Sequence, residues 1–264
     1  MDLGLGGKVA LVTGGSKGIG RAVAESLATE GARVAIVARD RSTLEGAAWE
    51  IGAKTGSEVQ AITADLSALA GVARAVDEAR SRLGRIDILV NNAGSIRAGD
   101  FLAIPDEQWT ADWNLKLLGY IRMARLVFPI MQAQGGGRIV NVIGAAARNP
   151  SPTYLVGGAA NAALVNFTKG LADLGARSNI LVTAVSPAAT RTERWDSLLA
   201  RQAAATGRTV AEVRAESEAA YPLGRIGLPS DVADLVCFLA SERASFLTGI
   251  AITIDGGSTR GVYP

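Results

Sequence analysis

A glycine-rich segment, TGGSKGIG from Thr13 to Gly20, has residue types and spacing that suggest phosphate chemistry. It follows a short apolar run and opens into a segment with helical periodicity. Glycine lets the backbone turn sharply and approach a ligand closely, and the unpaired amides at the start of a helix attract a phosphate. Any tight strand–helix turn could use the same glycines for geometry alone. The strand before it and the helix after it favour dinucleotide binding.

Two cations indicate which dinucleotide this segment would bind. The second strand-like run ends at Ala38, Arg39 follows it, and Lys17 lies in the glycine-rich segment. A protein that selects NAD usually places a carboxylate at this strand end, where it holds the ribose 2′-hydroxyl. Each cation alone could be a solvated surface charge, but alanine with two nearby cations suits a 2′-phosphate. The sequence therefore predicts NADP(H) as the cofactor, with Arg39 among its ligands.

The elements that must position these residues alternate along the chain. Apolar residues recur every three or four positions in helix-length segments such as 18–30, 68–83 and 113–134. Between such segments lie strand-like runs at 8–13, 33–38, 59–64, 86–91, 137–143, 180–186 and 250–255. This alternation predicts an α/β, Rossmann-type, doubly wound fold: a seven-stranded, mostly parallel sheet with helices on both faces, in a single domain over 1–264.

One stretch departs from this alternation. Residues from about 190 to 222 are polar, rich in alanine and arginine, and helical in pattern, and they follow the sixth strand-like run. Ligands of open α/β sheets bind beyond the carboxyl ends of the strands, which is where this insertion emerges. We expect a helical lid over a substrate, because long insertions at that edge are usually functional. A plain surface hairpin of helices is the alternative.

Composition excludes several other kinds of site and partner. The chain has no histidine, so triads and metal sites built on imidazole are excluded, and we expect no metal. Its single cysteine, Cys237, cannot form an internal disulfide and fits a reducing compartment. A net charge of +2 without a clustered basic stripe argues against nucleic acid. No signal-peptide pattern or membrane-length apolar run is present, so we expect a soluble, cytoplasmic protein.

Further motifs make the chain similar to a known family. NNAG at 91–94 follows the fourth run, Asp65 and Leu66 follow the third, and PLGRIGLPSDVADLVCFLAS and TGIAITIDGG close the sequence. With the TGxxxGxG spacing, these motifs resemble the short-chain dehydrogenase/reductase family over essentially the whole chain. The resemblance implies cofactor contacts to Gly14, Ser16, Lys17, Gly18, Ile19 and Gly20 at the pyrophosphate, Asp65 and Leu66 at the adenine, Asn92, Ala93 and Gly94 at the ribose, and Pro187, Thr190 and Thr192 near the nicotinamide carboxamide.

The catalytic positions of that family are changed in this chain. Members typically carry an Asn–Ser–Tyr–Lys tetrad, in which the tyrosine exchanges a proton as hydride moves and the lysine lowers the pKa of the phenol. Matching the neighbouring motifs puts these positions, in the same order, at Lys116, Gly144, Gly157 and Asn161. None of the four carries the usual side chain, and lysine and asparagine have exchanged places.

One phenol lies close to the altered positions. Tyr154 precedes Gly157 by about one helical turn and ends the stiff, proline-bearing segment 148–154. We predict that Tyr154 is the proton donor and Lys116 the cation that tunes it, because an unassisted phenol titrates near ~10. Asn161 completes the predicted catalytic set. Alternatively, Tyr154 only packs under the lid and Lys116 only bonds helix carbonyls, which leaves an inert site, or other machinery acts.

Two functions remain open at this stage. The first is an NADP(H)-dependent oxidoreductase that interconverts a small-molecule ketone and a secondary alcohol. The alternative is an NADP(H)-binding pseudoenzyme, a sensor or partner subunit without hydride transfer, because all four usual side chains are lost. The resemblance also implies a homodimer or homotetramer with an interface from the helices near 113–134 and 158–176. The small residues at 157–160 would allow these helices to approach closely.

Overall fold

The computed structural model describes residues 1–260, and the last four residues of the predicted 1–264 domain, 261–264, lie outside the described residues. Seven strands form one sheet in the order β3-β2-β1-β4-β5-β6-β7, and every pairing is parallel. The strands are β1 (Val9–Thr13), β2 (Arg33–Ala38), β3 (Val59–Thr63), β4 (Ile88–Asn91), β5 (Gly137–Val142), β6 (Ile180–Pro187) and β7 (Ala251–Ile254). The predicted doubly wound, Rossmann-type fold is confirmed.

Helices cover both faces of this sheet. They are α1 (Gly18–Thr29), α2 (Arg41–Thr55), α3 (Leu69–Leu83), α4 (Asp106–Leu115), α5 (Leu117–Ala133), α6 (Leu155–Gly175), α7 (Glu193–Thr206), α8 (Val210–Ala219) and α9 (Pro229–Ala240). One apolar cluster joins α1, α2 and α9 to the sheet, and a second joins α3, α5 and α6 to its other face. Strand β1 is buried along its whole length and β2 along all but its ends, which explains why both have nearly continuous apolar runs.

The helix predicted over 113–134 is two helices in the structure. The first, α4, begins at Asp106, and the second, α5, begins after Lys116, which lies between them with φ −82° and ψ −59°. The side chain of Lys116 bonds a carbonyl 27 residues further along the chain. The helix predicted over 113–134 is therefore divided at Lys116, although the backbone amide of Lys116 still bonds the carbonyl of Asp112 at 3.0 Å and that of Tyr120 bonds the carbonyl of Lys116 at 3.3 Å.

The predicted insertion folds as a pair of packed helices, α7 and α8. Trp195, Leu199 and Ala203 from α7 pack against Val213 from α8. Thr209 and Glu212 form a reciprocal capping box at the start of α8. The pair therefore has a small apolar core of its own, and it begins directly beyond the carboxyl end of β6.

Most of the small residues at the start of α6 are buried inside the protomer. Gly157, Gly158 and Ala160 are buried, and only Ala159 of this group is exposed. That these residues let two subunits approach closely stays a prediction, to which Ala159 alone of the four offers an exposed side chain. Within residues 1–260, no helix has the length and apolar character needed to cross a bilayer.

Candidate active site

The glycine-rich segment forms a tight turn between β1 and α1. Gly14 and Gly18 have positive φ angles of 68° and 55°, which glycine adopts without strain. A Cβ at Gly20 would overlap the carbonyl oxygen of Gly14 and the side-chain amide of Asn92. The N-cap residue of α1 is Lys17, and no side chain caps this helix, so its first backbone amides remain available as donors. The turn therefore fits the pyrophosphate of a dinucleotide.

Thr13 fixes this turn to the segment that follows β4. Its hydroxyl oxygen accepts from the backbone amides of Asn92 at 2.8 Å and Ala93 at 3.0 Å. The side-chain amide of Asn92 also donates to the carbonyl oxygen of Thr13 at 3.0 Å. The turn and the predicted ribose-binding residues therefore form one hydrogen-bonded unit. In the sequence, Thr13 is recognisable only as the first residue of the glycine-rich segment.

The two cations predicted at the 2′-phosphate differ in their surroundings. Arg39 is exposed directly after β2, near Asp65, whose pKa is lowered by hydrogen bonds from Ser67 and, to a smaller extent, by Arg39. Lys17 forms an ion pair with Glu193 of α7, with Nζ 2.9 Å from Oε2. Both partners are largely exposed, 56% and 75%, so this pair is weak. A phosphate at Lys17 would compete with Glu193 for this ammonium group.

The other predicted cofactor residues lie at the carboxyl edge of the sheet. Ser16 and Ile19 are in the turn and the first turn of α1, Leu66 is buried after β3, Gly94 is exposed after β4, and Pro187 ends β6. Thr190 donates to the carbonyl of Ala188 at 3.1 Å. Thr192 caps α7, and its methyl group lies 3.2 Å from where a Cβ of Gly18 would be. The insertion therefore contacts the glycine-rich turn.

Tyr154 occupies the space over Gly157. A Cβ at Gly157 would overlap the ring carbons Cε1 and Cζ of Tyr154 and would lie 2.6 Å from its hydroxyl oxygen. A side chain at position 157 and the ring of Tyr154 in this position exclude each other. The ring also packs in an apolar cluster with Ile96, Val156 and Trp113. Burial raises the pKa of Tyr154 above its usual value.

Lys116 lies beside Gly94 and the end of β5. A Cβ at Gly94 would lie 3.0 Å from Cδ of Lys116. Its Nζ donates to the carbonyl oxygen of Ile143 at 2.6 Å. Burial, with a smaller contribution from the charge of Arg194, lowers the pKa of Lys116 to about 8. The ammonium therefore bonds a strand-end carbonyl, next to Gly144, rather than a helix carbonyl.

Asn161 fills the space over Gly144. A Cβ at Gly144 would lie 2.9 Å from Nδ2 of Asn161. Asn161 is only 2% exposed, and its Oδ1 has no hydrogen-bond partner among the described residues. An unsatisfied buried acceptor costs about 1–3 kcal/mol. A donor from a ligand or a water molecule would satisfy it.

Arg194, which sequence analysis did not single out, also reaches this site. It lies in the first turn of α7, and its Nη2 donates to the carbonyl oxygen of Ile96 at 2.5 Å, across 98 residues of sequence. Its charge and hydrogen bonding oppose the rise in the pKa of Tyr154 caused by burial, whereas the nearby carboxylate of Asp112 adds to that rise. Arg194 is thus a cation that acts on this phenol, and the role predicted for Lys116 stays a prediction.

Comparison with known proteins identifies the family. A family model described as short chain dehydrogenase matches residues 8–203. The chain belongs to this family. The 3-oxoacyl-(acyl-carrier-protein) reductase of Aquifex aeolicus is 34% identical over 257 residues, which cover 97% of this chain and 99% of that protein. The oxidoreductase class predicted from the sequence is confirmed.

Solved structures of this family match the fold closely. L-sorbose reductase from Gluconobacter frateurii, complexed with NADPH and L-sorbose, has a TM-score of 0.96 and 34% identity, with 99% of this chain and 100% of that chain covered. A variant of actinorhodin polyketide ketoreductase with NADPH has a TM-score of 0.91 and 31% identity, with 96% of this chain and 97% of that chain covered.

Among residues 1–260, no group of three or more acidic or cysteine side chains could hold a metal ion.

Proposed function

We propose that this chain is an NADP(H)-dependent oxidoreductase that interconverts a ketone and a secondary alcohol, with Tyr154 as the proton donor. The observation that carries the proposal is the ring of Tyr154 in the space over Gly157, the position that matches the family's catalytic tyrosine. The NADPH present in two related reductase structures supports the cofactor. Ala38 followed by an exposed Arg39 supports the same choice.

The residues of the carboxyl edge would hold the cofactor. The uncapped amides of α1 bind the pyrophosphate, and Arg39 binds the 2′-phosphate. Lys17 joins Arg39 when it exchanges Glu193 for that phosphate. Asn161 accepts a ribose hydroxyl at Oδ1, which has no donor within the described residues. When bound, NADPH supplies the hydride that adds to the carbonyl carbon of the substrate.

The side chains of the site then handle the proton. As the carbonyl carbon gains hydride, the π electron pair moves to the carbonyl oxygen, and Tyr154 gives its phenolic proton to that oxygen. The resulting phenolate is stabilised by the guanidinium of Arg194 and regains a proton from solvent. Because burial raises the pKa of Tyr154, the phenol is protonated at neutral pH, which favours the reductive direction.

The pair α7–α8 serves as the lid of this site in our proposal. Glu193 and Thr192 contact the glycine-rich turn, and Arg194 bonds Ile96 on the opposite side of the site.

The chain also assembles as a homodimer or homotetramer through the outer faces of α5 and α6, where Leu118 and Leu174 are exposed. Light scattering that finds only a 27.2 kDa monomer at micromolar concentration would contradict this assembly.

Tyr154→Phe tests the proposed chemistry. With NADPH and a broad panel of ketones, the variant should lose about 10²–10⁴ in turnover while NADPH affinity, measured by fluorescence, stays unchanged. Tyr221→Phe is the matched control, since Tyr221 carries another phenol at the same sheet edge, where it contacts the amide of Ala189. Full activity of Tyr154→Phe would refute the assignment. Wild-type protein that binds NADPH but reduces no ketone would favour the pseudoenzyme.

A further inference from the structure

The candidate site contains two cations that have no carboxylate partner. Neither Lys116 nor Arg194 forms an ion pair with any residue in the part of the chain that the structure describes. Other basic residues of the insertion and the turn do form such pairs: Arg191 with Glu218, Arg208 with Glu216, Arg214 with Asp196, and Lys17 with Glu193. Arg194 therefore differs from most of its neighbours along the chain.

Hydrogen bonds hold both cations in place within the site. Arg194 reaches across to the carbonyl of Ile96, a buried residue of the cluster that contains Tyr154. Lys116 reaches the carbonyl of Ile143. A carbonyl acceptor uses only part of the donor capacity of a guanidinium or an ammonium group. Each cation is thus fixed by a neutral acceptor and keeps donors for a further partner.

The charges of the candidate site do not balance. Asp112 is a carboxylate that acts on Tyr154, and its oxygens already accept from the side chain of Gln108 at 2.8 Å and from the amide of Arg97 at 3.3 Å. Arg194 acts both on this phenol and on Lys116, so the site holds two cations against this carboxylate. Arg194 is exposed and Lys116 is half-buried, so the costly charge is that of Lys116, and a bound anion would offset this cost.

We propose that the substrate is an oxo acid, a ketone whose carbon chain also carries a carboxylate, and that Arg194 binds this carboxylate. The inference rests on the proposed oxidoreductase function. The planar, forked donors of a guanidinium match the two oxygens of a carboxylate, which makes arginine well suited to this recognition. Lys116 adds a second positive charge on the β5 side of the site. Because Arg194 lies on α7, the anion would also hold the lid against the site.

Paired acids and esters test this substrate class. The rate of NADPH oxidation is measured with acetoacetate and methyl acetoacetate, with levulinate and methyl levulinate, and with L-sorbose as a neutral ketose. The proteins are wild type, Arg194→Met, Arg194→Lys and Arg201→Met. Arg201 is the matched control, an exposed arginine further along α7. In Arg194→Met, the lost effect of this arginine on Tyr154 slows the reduction of acid and ester alike. The ratio of the kcat/KM values for acid and ester therefore isolates carboxylate binding.

We expect wild type to prefer each acid over its ester by about tenfold to a hundredfold, as for a charge-assisted hydrogen bond. Arg194→Met should remove this preference mainly through KM, Arg194→Lys should restore part of it, and Arg201→Met should match wild type. Equal kcat/KM for acid and ester in both wild type and Arg194→Met would overturn the inference while leaving the proposed function intact.

A binding measurement separates the two claims. Calorimetric titration of the NADP⁺-loaded protein with levulinate and with methyl levulinate requires no turnover. Tighter binding of the acid that is lost in Arg194→Met, without reduction of any ketone, supports the anion site and refutes the oxidoreductase function. Acids that bind no more tightly than their esters, across both pairs, overturn the anion site whatever activity is found.

Discussion

Replacing Lys116 by methionine should change how the free energy of unfolding depends on pH. Methionine keeps an unbranched apolar side chain beside Gly94 but has no ammonium to bond Ile143. In the folded wild type the pKa of Lys116 falls from 10.5 to about 8, chiefly because burial disfavours the charged form. The variant has no group that titrates at this position.

The sign and size of the effect follow from this difference in pKa. Above about pH 10.5, Lys116 is neutral in both the folded and the unfolded chain, so burial carries no charge penalty. Below about pH 8 it is protonated in both states, and the folded protein bears the cost of a buried ammonium. Wild type should therefore gain stability relative to the variant as pH rises from about 8 to 10.5. The gain is about 3 kcal/mol, since one pKa unit corresponds to about 1.4 kcal/mol.

Urea denaturation of both proteins between about pH 7 and 10.5 measures this gain. The other titrating groups are common to both proteins and cancel in the difference between the two free energies of unfolding. Only the change with pH is predicted, because the variant also loses a hydrogen bond at every pH below the titration. A difference between the two free energies of unfolding that stays constant over this pH range would refute the buried ammonium.

Three further predictions concern activity and cofactor binding. Gly157→Ala should displace the ring of Tyr154 and reduce turnover by about 10²–10⁴, as loss of the general acid would. The control Gly46→Ala, where a Cβ meets nothing within 4 Å, should keep the wild-type turnover. Unchanged kinetics of Gly157→Ala would contradict the overlap between a Cβ at this position and the ring. Arg39→Ala should weaken NADPH about tenfold in a fluorescence titration and leave NADH unaffected, and equal losses would exclude a phosphate contact. Alcohol oxidation needs the phenolate of Tyr154, whose pKa is raised by burial, so the rate of oxidation should still rise with pH above about 10. The rate of ketone reduction should stay level between about pH 6 and 9. An oxidation rate that levels off below pH ~9 would argue against Tyr154 as the proton-transfer group.

The fold was predictable because its five central strands are largely buried on both faces, although the edge strands β3 and β7 are only half-buried. Each strand-like run overlaps an observed strand, as 33–38 does with Arg33–Ala38, since a continuous apolar run followed by an amphipathic segment is a strong local signal. The break at Lys116 was not predictable. It accompanies a bond to Ile143, and a contact across 27 residues is invisible to a pattern with a period of three or four.

Within the site, too, a local feature was predictable from the sequence and a long-range contact was not. The closeness of Tyr154 to Gly157 could be deduced, because three residues near the start of a helix correspond to about one turn. Arg194 could not be found in this way. It sits in an insertion with several arginines, and the sequence does not distinguish the one that bonds the carbonyl of Ile96 from Arg201, although both are exposed.

The way in which the altered positions are filled favours the proposed function over an inert site. Gly144 and Gly157 stand where the family has side chains, and the space over each is occupied by a neighbour, Asn161 and Tyr154 respectively. Filling a cavity stabilises a protein, but apolar side chains do this at the least cost, because a buried polar group needs a partner. Here the fillers are an amide with an unsatisfied oxygen and a phenol beside a guanidinium. Selection for packing alone does not call for these polar groups, whereas a site that must bind a hydroxyl and transfer a proton requires them.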